Sequence, residues 1–159
     1  MDLNINVEDL LQKLEQQYKE HETTSREIED LLDEQLGLLK SMLEKLKPIY
    51  SWYFKKGLVF THPTIKIRSP LGPILGYDRK ENEVIVFNIQ KNHPEKVYLH
   101  DNKVRKFYSL YELVRDGFFS DAVNGLQYLG KMLKNYVNEN NEYIKELKAQ
   151  IEEINLMNK

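Results

Sequence analysis

Apolar residues recur at alternating steps of four and three along the first third of the chain. Val7, Leu11, Leu14, Tyr18, Ile28, Leu32, Leu39, Met42, Leu46 and Ile49 fill ten of thirteen such positions, with His21, Ser25 and Gln35 at the other three. Glutamates and lysines occupy the places between them. This spacing predicts one long helix carrying a coiled-coil seam, in which Leu11, Leu14, Ile28, Leu32 and Leu39 are candidate oligomerisation positions. The seam is polar from His21 to Ser25, and Gly37 costs a helix interior about 1 kcal/mol relative to alanine, so both are candidate bends. Pro48 disfavours helical geometry at Lys47 and suits the first turn of a new helix. Residues 48–56, with Tyr50, Trp52, Tyr53 and Phe54, are therefore expected as a short separate helix whose aromatic side chains fasten the long helix to whatever follows.

The last third repeats the pattern. Ala122, Leu126, Leu129, Leu133, Tyr136, Asn140, Tyr143, Leu147, Gln150, Ile154 and Met157 follow the same steps, and nine of the eleven are apolar. Leu126, Leu133, Asn140 and Leu147 are the candidate oligomerisation positions on this side; a buried amide at Asn140 would select register or oligomeric state. Before this helix, Ser109 and Glu112 have the spacing of a capping box, Gly117 breaks the chain, and Ser120 or Asp121 is expected to cap the long helix. Two long helices of roughly 55–65 Å each are expected, as an antiparallel hairpin or an intermolecular bundle.

Between the helices the period changes to two. Residues 64–69 place Ile65 and Ile67 on one face and Lys66 and Arg68 on the other, the pattern of a half-buried strand. Pro70 and Gly72 suit a turn. Residues 74–77 and 84–89 are separated by the charged stretch 78–83, as in an exposed hairpin loop, and 84–89 is apolar on both faces, as in a central strand. A second hairpin is expected to join 96–100 to 103–108 through Asp101 and Asn102 in a type I′ turn. The sequence thus predicts an α+β chain in three segments: 1–57, a coiled-coil helix plus a short aromatic helix; 58–108, a β module of about five strands in a small antiparallel sheet or partly open barrel; and 109–159, a short helix followed by a coiled-coil helix. Helix, paired hairpins and helix in this order resemble the layout of prefoldin subunits, chaperones whose coiled coils project from a β platform. The short helices around Trp52 and Tyr111 are extra to that plan. The resemblance implies oligomerisation through the strands and client binding at the helix tips.

Charge follows the same boundaries. The net charge of −2 divides into −6 over residues 1–52 (6 basic, 12 acidic), +6 over 53–108 (11 basic, 5 acidic) and −2 over 109–159 (6 basic, 8 acidic). The absence of cysteine excludes disulfides, thiolate nucleophiles and cysteine-ligated metals. Without a basic segment leading into an apolar run, or any long apolar span, the chain reads as cytoplasmic and not membrane-bound. The 159 residues give room for one domain core.

The basic module is the strongest functional pointer. Its lysines and arginines alternate with Tyr77, Tyr98, Phe107 and Tyr108, the combination that phosphate backbones and exposed bases require. Lys66, Arg68, Arg79, Lys103, Arg105 and Tyr108 are the candidate ligand or partner residues. The competing reading is that these charges solubilise strand edges or pair with the acidic helices of the same or another chain. No histidine pair has metal-ligand spacing; His93 and His100, seven residues apart beside Asp101, are the nearest approach. Asp78, Glu81 and Glu83 fall in the expected hairpin loop. There is neither a phosphate-binding glycine loop nor a serine elbow. No catalytic residue, cofactor or metal is therefore expected. The leading expectation is a non-enzymatic, homo-oligomeric coiled-coil protein presenting a basic β module to an acidic protein partner or nucleic acid. The alternatives are a prefoldin-like holdase and a small inhibitor, of phage type for instance, that sequesters an anionic nucleotide.

Overall fold

The apolar residues of all three segments meet in one core. In the computed structural model, which describes residues 4–158, a long helix α1 (Val7–Lys55) is followed by strands β1 (Ile74–Asp78), β2 (Glu83–Asn88), β3 (His93–Tyr98) and β4 (Arg105–Phe107). Helices α2 (Leu110–Arg115), α3 (Phe119–Gln127) and α4 (Leu129–Met157) complete the chain. The strands form an open antiparallel meander in the order β1-β2-β3-β4. Among the described residues no helix is long and apolar enough to cross a membrane.

Asn6 starts α1, its side-chain oxygen accepting the amide of Asp9, with Glu8 and Asp9 placed favourably at the positive end of the helix dipole. The face that α1 packs on the core is Leu32, Leu36, Leu39, Met42, Leu43, Leu46, Tyr50, Tyr53 and Phe54. It shares Leu32, Leu39, Met42 and Leu46 with the expected seam and adds Leu36, Leu43 and Tyr50, while Ile49 of the seam stays exposed. A helix lying on a globular body uses a broader apolar stripe than a coiled-coil seam does, and the two stripes overlap only in part. Leu39 and Leu126, expected at oligomer contacts, are both fully buried inside the body instead.

Pro48 does not begin a new helix; α1 runs through it to Lys55. A proline interior costs a hydrogen bond and about 3 kcal/mol, and here tertiary contacts on the next two turns offset it. The Tyr50 ring packs 5.5 Å from that of Phe87, and the Tyr53 ring 6.1 Å from that of Phe60.

The sheet has four strands, not five. Residues 60–72 are irregular, joined to themselves by a single bridge between Phe60 and Ser69. The alternation there correctly marks Ile65 and Ile67 as inward and Lys66 and Arg68 as exposed, because burying one face needs no partner strand. Ile65, Ile67 and Leu71 form a lid on the outer face of the sheet, over Ile74, Val84, Val86 and Val97. The lid's backbone is satisfied by a side chain: Nδ1 of buried His62 accepts the amides of Thr64 and Ile65, at 3.1 and 3.2 Å, and its Nε2 lies 2.8 Å from the Asp121 carbonyl. That arrangement fixes the neutral tautomer with the proton on Nε2.

Among the described residues the non-glycine left-handed positions are Asn82 (φ 52°) and Asn92 (φ 59°), at the β1–β2 and β2–β3 connections. The β3–β4 connection is not the two-residue turn expected at Asp101 and Asn102. Val97 pairs with Arg105, so the loop between β3 and β4 spans 99–104. β2 is buried along its whole length.

The inner face of the sheet carries the helices. α3 crosses β1 at Gly125, where a Cβ would stand 2.1 Å from the Ile74 carbonyl oxygen. α2 is capped by Ser109 as expected, its hydroxyl accepting the Glu112 amide at 3.0 Å and donating to the Glu112 carboxylate at 3.2 Å. The expected cap at Ser120 or Asp121 is not used: α3 starts at Phe119 and the helix is interrupted at Tyr128 before α4 begins.

The two long helices are unequal, about 74 Å and 44 Å, and do not form an antiparallel hairpin. The body meets α1 from Glu29, which accepts a hydrogen bond from Tyr111, to Tyr53. Tyr53 holds the root of α4, its hydroxyl donating to Leu129 O at 2.6 Å and accepting Leu133 N at 3.2 Å, inserted in the helix's own ladder. Tyr136 donates to the Val59 carbonyl on the next turn. The N-terminal arm of α1 and the C-terminal arm of α4 thus leave the body at points roughly 36 Å apart along α1. Helix, sheet and helix follow one another as in the prefoldin layout, but the arms separate instead of pairing, because α2, α3 and the sheet occupy the α1 face that a partner helix would need.

Candidate functional site

The outer face of the sheet and its lid bring two of the expected site residues together. Register places Arg105 opposite Val97, on the face that carries Val84 and Val86. The guanidinium of Arg105 is oriented by its Nε–H, which donates to the Asn102 carbonyl at 2.8 Å. From the lid, Arg68 enters the same cleft, next to Ser69, whose hydroxyl accepts the Leu71 amide at 3.2 Å. The cleft has a volume of about 220 Å³. Its floor is apolar, formed by Ile67, Leu71, Val84 and Val97, and its polar rim is Arg68, Arg105, Asn102 and Ser69, with no carboxylate among the lining residues. Arginines lining a cleft with apolar walls suit a carboxylate or phosphate attached to a less polar body.

Arg68 also lines a second cleft of about 400 Å³ on the other side of the lid, with Lys66, Thr64, Tyr128 and Glu139. Glu139 makes this second cleft mixed in charge. Arg79 lies exposed in the β1–β2 turn, and Lys103 in the β3–β4 loop; neither lines a cleft with Arg68. Tyr108 is not at the surface. It is buried against Lys96, whose ammonium lies 4.5 Å from the ring centre, and its hydroxyl donates to Asp116 at 2.5 Å. Burial, followed by the hydrogen bond to Asp116, pushes its phenol well above the usual range.

Much of the remaining basic charge is committed within the module. Lys96, itself buried, donates to Asp78 at 2.9 Å, Lys106 pairs with Glu83 at 3.2 Å, and Lys91 pairs with Glu95 at 3.2 Å. The hydrogen bond from Lys96 holds the Asp78 carboxyl below its ordinary range. For Glu95 burial acts upward but is outweighed by hydrogen bonds from Asn88 and Lys91, so its carboxyl also lies low. These three partners lie within the β module itself and not on the acidic helices that the competing sequence reading named.

His93 packs edge-on to Phe107 and His100 edge-on to Tyr98. Among the described residues no group of three metal-ligating side chains forms. Asn102 and Ser69 were not singled out by sequence reasoning. Asn102 entered only as a turn residue, since the expected two-residue turn misplaced the β3–β4 register, and Ser69 only as the end of an expected strand.

No protein-family model matches this chain, and neither the curated proteins nor the solved structures give a significant match.

Proposed function

We propose that this chain is a non-enzymatic interaction protein. It self-associates through its helical arms and uses the outer β face to bind an anionic partner, an acidic protein segment or nucleic acid. The observation that carries the reading is the sorting of charge on the β module. Lys91, Lys96 and Lys106 are consumed by internal carboxylates, whereas Arg68 and Arg105 converge on a cleft lined by no acid. Two arginines lining one acid-free cleft add an anion contact there, with the Glu139 carboxylate bordering Arg68 in the neighbouring cleft.

The test is charge reversal at the cleft. The Arg68→Glu/Arg105→Glu double variant is compared with wild type for binding to labelled single-stranded oligonucleotide and to a polyglutamate peptide over a salt series. Wild type is expected to bind at least one probe with affinity that falls as salt rises, and the double variant to lose it. A double variant that binds as wild type does would overturn the assignment of this face. A prefoldin-like holdase predicts something different: suppression of client aggregation that depends on the apolar arms and is insensitive to salt.

A further inference from the structure

The arm of α4 carries a heptad seam that the body leaves open. Val137, Ile144 and Ile151 recur every seven residues, and Leu133, Asn140, Leu147 and Ile154 fall four residues before each and three after the last, so the two sets form one continuous stripe. The apolar members are 38% to 61% exposed. This stripe differs from the seam read from sequence, which took Tyr136, Tyr143, Gln150 and Met157 where the stripe has Val137, Ile144 and Ile151. Only Asn140 interrupts it, whereas the arm of α1 has two polar layers in succession at His21 and Ser25.

We propose that the α4 arms of two copies of this chain form a parallel, in-register, two-stranded coiled coil. The proposal deepens the self-association read above and rests on it. Three features select the occupant and the arrangement. First, β-branched residues at one seam position, with Leu at the other apart from Asn140 and Ile154, favour two strands. Second, the residues flanking the seam are Tyr136, Tyr143, Gln150 and Met157 on one side and Lys134, Asn141, Lys148 and Asn155 on the other, while every glutamate of the arm lies on the outer face. Two copies therefore meet without facing like charges, and in parallel register Tyr143 lies against Lys148 of the partner subunit. Third, the amide of Asn140 meets Asn140 of the partner subunit only in this arrangement. An antiparallel pairing brings the two seam positions opposite each other and sets Asn140 against Ile144 of the partner subunit or Ile151 of the partner subunit, leaving two buried amides unsatisfied. Because α4 is rooted by Tyr53 and Tyr136, the parallel coil would set two bodies side by side with both arginine clefts available.

Sedimentation equilibrium of the full chain over a concentration series tests the pairing. Wild type is expected at twice the 19.0 kDa chain mass, the Ile144→Asp/Ile151→Asp variant as a monomer with the thermal transition of its body retained, and Leu11→Asp/Leu14→Asp as a dimer. A monomeric wild type, or a seam variant that remains dimeric, overturns the proposal, as does loss of the dimer in the α1 variant. The chain has no cysteine, so oxidised Ile154→Cys reports orientation: a cross-linked dimer is expected, and none overturns the parallel register. Anion binding measured on the monomeric variant keeps the two readings apart. Binding without dimerisation leaves the cleft standing, and a dimer that does not bind leaves the coil standing.

Discussion

Three helical glycines make opposite predictions from one substitution. At Gly125 an added Cβ would stand 2.1 Å from the Ile74 carbonyl oxygen and 2.9 Å from His62 Cδ2, whereas at Gly37 and Gly130 it would meet nothing within 4 Å. To reach ordinary contact, α3 and β1 must separate by roughly 1.3 Å. Neither side of that contact is a flexible side chain; one is helix and the other strand backbone. Separation also loosens Ala122 and Leu126, which α3 buries in the core. Overpacking of this kind costs about 1–3 kcal/mol, with a backbone clash at the upper end, and the helix propensity of alanine returns about 1 kcal/mol. Gly125→Ala is expected to lose about 2 kcal/mol net, lowering the urea midpoint by about 1 M and Tm by roughly 4–8 °C. Gly37→Ala and Gly130→Ala keep the propensity gain alone, up to about 1 kcal/mol. Urea unfolding followed by circular dichroism separates the cases. A Gly125→Ala protein as stable as the Gly37→Ala protein would refute the close crossing of α3 on β1.

The carboxyls of Asp78, Glu95 and Asp116 lie below their ordinary range in the folded chain, Asp116 chiefly through the Tyr108 hydroxyl. Their contribution is therefore complete above an unfolded pKa near 4 and drains as pH falls through the lower folded values, so Tm should hold from about pH 7 to 5 and drop below about 4. Asp78→Asn should lower Tm at neutral pH and flatten that acid limb. On the alkaline side, burial raises Tyr50, Tyr108 and Tyr136; their contribution is complete below about pH 10 and lost as pH climbs through the raised values, and Tyr108→Phe should flatten this limb. His62→Ala removes the acceptor for two lid amides and should cost about 1–2 kcal/mol, with hydrogen exchange accelerated at Thr64 and Ile65. Unchanged protection at those amides would refute the role of His62 in holding the lid.

Where a structural feature depends on residues close in sequence, the chain discloses it. The α1 helix, the Ser109 capping box, the buried β2 strand and the inward Ile65 and Ile67 all follow from spacing alone, because helix and strand periods and cap geometry are local. The division into acidic flanks and a basic middle is equally plain. Features that depend on what an element meets had to await the tertiary structure. Only the fold decides that α1 buries Leu36, Leu43 and Tyr50 along with Leu39, Met42 and Leu46 and leaves Ile49 exposed, since the partner surface chooses among neighbouring apolar positions. Only the fold carries α1 through Pro48, by packing Tyr50 on Phe87 of the sheet and Tyr53 on Phe60 and the root of α4. Alternation at 64–69 records one buried face, which a lid supplies as well as a strand does, so the ladder is absent although the pattern is real. Candidate charges divide for the same reason. Sequence placed Arg68, Arg105, Lys66, Arg79 and Lys103 in one basic group; strand register and the lid join Arg68 to Arg105, because hydrogen-bonded pairing of distant segments sets which side chains share a face.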